Sequence, residues 1–239
     1  MIRVERARAR PRPARHGCAH PSPTLQCRRM VNSDPVRVYV AGAVDALITS
    51  AALVTLVRSP AVELVGLDLD RIEIDRLQAA RPDLLLSAAH RRIIRPPELA
   101  IGRAGSVGLH PSLLPLYRGS HPLWWAIRNH ETEAGMSLYV LDERIDTGPI
   151  LAQRRVPIRP DDSFRSLYLR TIAEIGPMLD ELVVTIQATG RLPPAVPQDE
   201  SEATFYAAPT EAQLSGSLWE RAAGRLRRLA RGTAATRGR

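Results

Sequence analysis

Two segments of the chain are too polar and too proline-rich for ordinary connections: His110–Gly119 (HPSLLPLYRG) and Leu141–Ile150 (LDERIDTGPI). The first sets a histidine at the end of an apolar run and then stiffens the chain with Pro111 and Pro115. The second gathers Asp142, Glu143 and Asp146 ahead of a Thr147-Gly148-Pro149 turn. A lone histidine is more often structural than chemical. A histidine with a carboxylate beside it is a base tunable near neutral pH. That pairing requires both loops to lie on the same side of one scaffold.

Other chemistries lack their residues. The sequence contains no Lys, so a phosphate-cradling P-loop cannot be complete. The first apolar run ends in Ala41-Gly42-Ala43, one glycine where a dinucleotide fingerprint needs three. Cys18 and Cys27 both lie near the N-terminus, so the centre of the chain has no disulfide or thiolate. No Cys/His spacing suggests zinc, and no metal is expected.

The scaffold reads as strands alternating with helices. Apolar, β-branched runs at Val36–Ala43, Val62–Leu69, Asp83–Ala88 and Ser106–His110 predict buried parallel strands. Helices are expected at Val44–Arg58, Arg71–Ala80 and Pro122–His130, with a short helix or turn within His90–Leu99. Met136–Leu141 and Ile150–Ile158 read as further strands. Ser163–Thr189 reads as one long helix, capped by Ser163 and kinked at Gly176-Pro177. This alternation predicts an α/β domain with a doubly wound, mostly parallel sheet. Sites in such sheets lie beyond the carboxyl ends of the strands, which puts His90, His110 and Asp146 at one edge.

HPSLLPLYRGSHPLWWAI, then Asn-His-Glu followed by glycine, then LDERIDTGPILAQ resemble the folate-dependent formyltransferase family, which includes methionyl-tRNA, glycinamide ribonucleotide and amino-sugar formyltransferases. The resemblance runs from about Val36 to about Thr210 and closes on Ala203–Pro209 (ATFYAAP), similar to the end of this domain in the tRNA enzymes. It implies a Rossmann-like formyltransferase fold and acyl transfer from 10-formyltetrahydrofolate to an amine through a tetrahedral intermediate. His110 then matches the family histidine, which stabilises the oxyanion or moves the amine proton, and Asp146 matches the aspartate that orients it. The folate is held largely by main-chain groups of two loops. These match Ser87–Ile94, with Ser87, Ala88, Ala89, His90 and Ile93 as candidates, and the stretch carrying Leu141, Asp142 and Glu143. Arg118, Gly108 and Ser112 are candidates for contact with the acceptor, with a tie of the loop to an Asp or Glu as the alternative role of Arg118.

Three departures stand out. The family has Asn two residues before its histidine, and this chain has Gly108. The missing carboxamide is an oxyanion donor, and losing one such donor typically costs about 10²–10³ in rate. Ser106, Ser112, His121 or a water could stand in; otherwise the reaction differs, or the protein is a non-catalytic relative that binds folate or a partner. Secondly, only about a dozen residues separate the second strand from Pro82, so the sheet is shortened there. Thirdly, the chain after Thr210 reads as a helix and not as the β-rich domain of the tRNA enzymes. From this the expected acceptor is a small-molecule amine, an amino sugar or a biosynthetic intermediate, with no specific nucleic acid. A methionyl-tRNA formyltransferase-like activity and 10-formyltetrahydrofolate hydrolysis remain as alternatives.

The 239 residues carry a net charge of +8, which at first suggests a nucleic-acid or membrane surface. Residues 1–33 hold +7 of it and residues 211–239 hold +5, leaving a mildly acidic middle. The expected organisation is a disordered Arg/Pro-rich tail at 1–33, a catalytic domain at 34–210, and a basic amphipathic helix and tail at 211–239. The first tail has no apolar stretch of signal-peptide length, and Met30 is an alternative start. No run approaches the ~20 apolar residues of a membrane span. A cytoplasmic location is expected, and the oligomeric state is open.

Overall fold

The computed structural model describes residues 34–213. The two expected tails therefore fall outside the described residues, apart from 211–213, which form a helical turn. A six-stranded sheet runs in the order β2 (Val62–Leu69), β1 (Val36–Gly42), β3 (Leu84–Ala88), β4 (Gly105–His110), β6 (Glu133–Val140) and β7 (Ile150–Pro157). The first four strands pair in parallel, and β6 and β7 add on antiparallel. This is the mostly parallel, Rossmann-like sheet that the sequence implies.

Alternation along each strand sorts side chains onto two layers. Val36, Val38 and Val40 of β1, Leu84 and Leu86 of β3 and Val107 and Leu109 of β4 face α1 (Leu47–Arg58) and α6 (Ile175–Thr189). Tyr39 and Ala41 of β1 and Leu85 of β3 pack on the opposite face with Ile72 and Leu77, the latter from α2 (Ile74–Ala80). The central strands bury both faces, which explains their nearly continuous apolar sequences. Only α2 separates β2 from β3, the shortened stretch seen in the sequence.

Several boundaries differ from expectation for clear reasons. The helix expected over Ser163–Thr189 is two helices, α5 (Phe164–Ala173) and α6, meeting at Glu174. Pro177 causes no break, because it sits in the first turn of α6, where no backbone donor is needed. Ser163 does cap α5, its hydroxyl accepting from the Ser166 amide at 3.1 Å. β6 begins three residues earlier than its apolar run, because pairing with β7 extends it to Glu133. A two-stranded ribbon of β5 (Arg118–Gly119) and β8 (Phe205–Tyr206) escaped the sequence, being too short to show a period. The short helices α3 (Pro96–Leu99) and α4 (Pro122–Arg128) complete the set. Among the described residues no helix is long and apolar enough to cross a membrane.

Candidate active site at the carboxyl edge of the sheet

β1 connects outward to β2 on one side and β3 lies on its other side, so the strand order reverses there. A crevice opens beyond the strand ends at such a reversal. Here it is a cavity of about 880 Å³, lined by residues that follow β1, β3, β4 and β6.

His110 is the last residue of β4 and is 6% exposed. The loop after it folds back on a buried anchor. The Ser137 hydroxyl donates to the Ser112 carbonyl at 2.6 Å and accepts from the Leu114 amide at 3.1 Å. The return brings the Tyr117 carbonyl to His110 Nε2 at 2.8 Å. A carbonyl only accepts, so Nε2 carries a hydrogen. Nδ1 then faces Asp146 Oδ2 at 3.4 Å.

Asp146 is held from three sides. Its Oδ2 accepts from the Gly119 amide at 2.8 Å, and its Oδ1 accepts from the Tyr139 hydroxyl at 2.7 Å. Its own carbonyl accepts from Gln198 Nε2 at 2.9 Å. Asp146 has φ +56°, a left-handed conformation that Asp tolerates better than most side chains. Gly148 is required nearby, since a Cβ there would lie 1.7 Å from the Val140 carbonyl oxygen.

Tyr139 is the residue that sequence reasoning missed. It stands opposite Gly108 across the antiparallel pair of β4 and β6. A Cβ on Gly108 would come within 2.7 Å of two ring atoms of Tyr139 and 2.8 Å of a Leu141 methyl. The aromatic ring therefore fills the space above Gly108. Burial, then the charge of Asp146 and the hydrogen bond to it, push the Tyr139 phenol well above its usual range. It stays a neutral donor. The only sequence signal was a large residue opposite a glycine, legible only once the register is known.

The candidates distribute unevenly. Ser87, Ala89, His90, Ile93, Leu141 and Asp142 line the cavity with His110 and Asp146. Ala88 is buried in the strand, its carbonyl accepting from the Thr49 hydroxyl, and Glu143 lies exposed away from the lining. Gly108 is covered by Tyr139 and reaches no cavity surface. Ser112 also lies outside the lining, its hydroxyl donating to the Leu116 carbonyl at 2.7 Å. Arg118 is 6% exposed and faces away, its guanidinium bound to Gln198 Oε1 and to both Glu200 oxygens at 2.7–3.1 Å. It anchors the strap that carries Gln198 to the Asp146 carbonyl. Of the suggested stand-ins for the missing carboxamide, Ser106 donates to the Leu99 carbonyl instead, and only His121 reaches the cavity.

Fold and site together define an α/β protein with a histidine–carboxylate pair lining a cavity sized for a small molecule. Residues 67–179, just under half of the chain, match the family model described as formyl transferase. A methionyl-tRNA formyltransferase of Roseiflexus sp. (strain RS-1) is 44% identical over 138 residues, 57% of this chain and 41% of that protein. The chain thus spans well under half the length of that curated relative. Solved structures that share the fold include the following two. Methionyl-tRNA formyltransferase from Clostridium thermocellum has a TM-score of 0.60 at 19% identity, over 74% of each chain. HypX from Aquifex aeolicus in complex with tetrahydrofolic acid has a TM-score of 0.62 at 20% identity, over 74% of this chain and 30% of that one.

These relatives correct one expectation. A small-molecule amine acceptor with no specific nucleic acid does not stand, because curated relatives at 38–44% identity are methionyl-tRNA formyltransferases, whose acceptor is a tRNA. The expectation rested on the segment after Thr210. The length of that segment does not decide which amine the cavity of the preceding domain admits.

Proposed function

We propose that this protein transfers a formyl group from 10-formyltetrahydrofolate to the amino group of methionyl-tRNA. The His110–Asp146 pair in the cavity wall is the observation that carries the proposal. The cavity suits the donor in size, and the loops Ser87–Ile94 and Leu141–Asp146 flank it with main chain and small or apolar side chains. Ser87, Ala89, His90, Ile93, Leu141 and Asp142 would hold the donor. When bound, the donor supplies an electrophilic formyl carbon and a nitrogen leaving group.

The chain's own residues then manage one proton and the exclusion of water. With Nε2–H kept on the Tyr117 carbonyl, the His110 ring is fixed and Nδ1 is the atom free to accept the proton of the attacking amine. The imidazolium so formed lies beside the Asp146 carboxylate, 3.4 Å away, and is stabilised by it until it gives the proton to the departing nitrogen. Asp146 is itself held against rotation by Gly119 and Tyr139. Leu109, Ile94 and Leu141 give the cavity apolar walls that limit access of water.

The test uses the full chain, 10-formyltetrahydrofolate and methionine-charged tRNA, with formylmethionine released from the tRNA measured by mass spectrometry. Formylation well above that of His110→Ala is expected. No formylation, or formate release at the same rate with and without the tRNA, would reject the proposal.

A further inference from the structure

We propose that Tyr139 is a positioning residue for Asp146, and that residue 108 is glycine in order to seat its ring. Four observations converge. Tyr139 and Gly108 are a cross-strand pair, and any side chain at 108 would strike the ring. The ring is 6% exposed, so its place is set by packing. Its hydroxyl is 2.7 Å from Asp146 Oδ1, and that donated hydrogen is its only one. The other carboxylate oxygen, Oδ2, which accepts from the Gly119 amide, is the one turned to His110 Nδ1.

A phenol whose hydrogen is committed to Asp146 cannot at the same time donate to a developing oxyanion. Its effect runs through Asp146 to the histidine. Without the hydroxyl, the Gly119 amide alone restrains the carboxylate, which can then turn about its χ2 bond. With the hydroxyl, both oxygens are fixed and one always faces the ring. The polar group that the sequence lacks at position 108 is thus not restored at the same point. A longer side chain from the neighbouring strand occupies the space and serves the aspartate instead.

This inference rests on the proposed reaction for its kinetic consequence but has a readout independent of it. Tyr139→Phe keeps the ring over Gly108 and removes only the hydroxyl. In the unliganded full chain labelled with ¹⁵N-histidine, the His110 Nδ1 resonance should shift in Tyr139→Phe relative to wild type at the same pH. Gly108→Ala, which pushes the ring aside, should shift it in the same direction. The double variant should add little, because the same bond is already lost. An unmoved resonance in Tyr139→Phe, or additive shifts in the double variant, would overturn the inference. In the formylation assay, Tyr139→Phe should lower kcat by about 10–100-fold, the scale of one hydrogen bond to a charged group, with KM for the acceptor unchanged. A raised KM with unchanged kcat would assign the hydroxyl to binding and overturn it. If the wild type formylates nothing, the proposed reaction fails while the resonance still decides the role of Tyr139.

Discussion

Asp146 does three jobs with one side chain: it takes a backbone amide, takes a phenol and faces a histidine. Asp146→Asn should keep the backbone, since Asn also tolerates the left-handed conformation. The Gly119 amide will still demand an oxygen, so a neutral carbonyl replaces the carboxylate next to His110. Formyl transfer, measured as kcat, should fall about 10²–10⁴-fold with little change in Tm. Gly148→Ala is the contrasting case. Its Cβ would meet the Val140 carbonyl at 1.7 Å, so the turn must move and take Asp146 with it. Both thermal stability and kcat should drop, read by calorimetry and by the formylation assay. His110 and Asp146 were legible in the sequence because their loops are proline-stiffened and polar. Tyr139 was not, because its meaning lies in a pairing with a residue 31 positions away, visible only in the β4–β6 register.

At the scale of elements, the ribbon of β5 and β8 and the strap before it hold the site together from outside the main sheet. Gln198 Nε2 bridges the carbonyls of Asp146 and Gly148 at 2.9 and 2.7 Å, while its oxygen accepts from Arg118. Gln198→Ala should therefore loosen the Asp146 turn from a distance. It should lower kcat several-fold, and faster amide exchange at residues 146–148 should report the cause. A purely local effect at Arg118 would leave that exchange unchanged. The cap of α5 gives a separate test of local structure. Ser163→Ala removes one acceptor from an exposed helix start and should cost about 1 kcal/mol in denaturant unfolding, with kcat unaffected. Strands and long helices were legible because periodic burial marks them. The β5–β8 ribbon was not, because two residues carry no period; of the two readings of Arg118, an acceptor contact or a tie to an acidic residue, its bonds to Glu200 give the second. A basic residue in a site-facing loop looks like a ligand until its buried partners are seen.

For the whole molecule, the buried tyrosines set the alkaline limit. Burial and the bond to Glu131 push the Tyr117 phenol from 10.0 up to about 12, and Tyr39, Tyr139 and Tyr168 are raised as well. A phenol with a higher pKa when folded holds its proton more tightly in the folded state. Its contribution is full below pH 10.0 and is lost as pH climbs through the raised folded value, about 12 for Tyr117. Unfolding free energy by denaturant titration should thus fall between pH 10 and 12, and less steeply in Tyr117→Phe. The sequence by itself determined the layered α/β architecture and the two loops with His110 and Asp146, because burial periodicity and turn chemistry are local properties of the chain. Only the tertiary structure decided which groups surround that pair. Tyr139 over Gly108, Gln198 under Asp146 and Arg118 turned away from the cavity all depend on strand order and register, which bring together residues far apart in the chain.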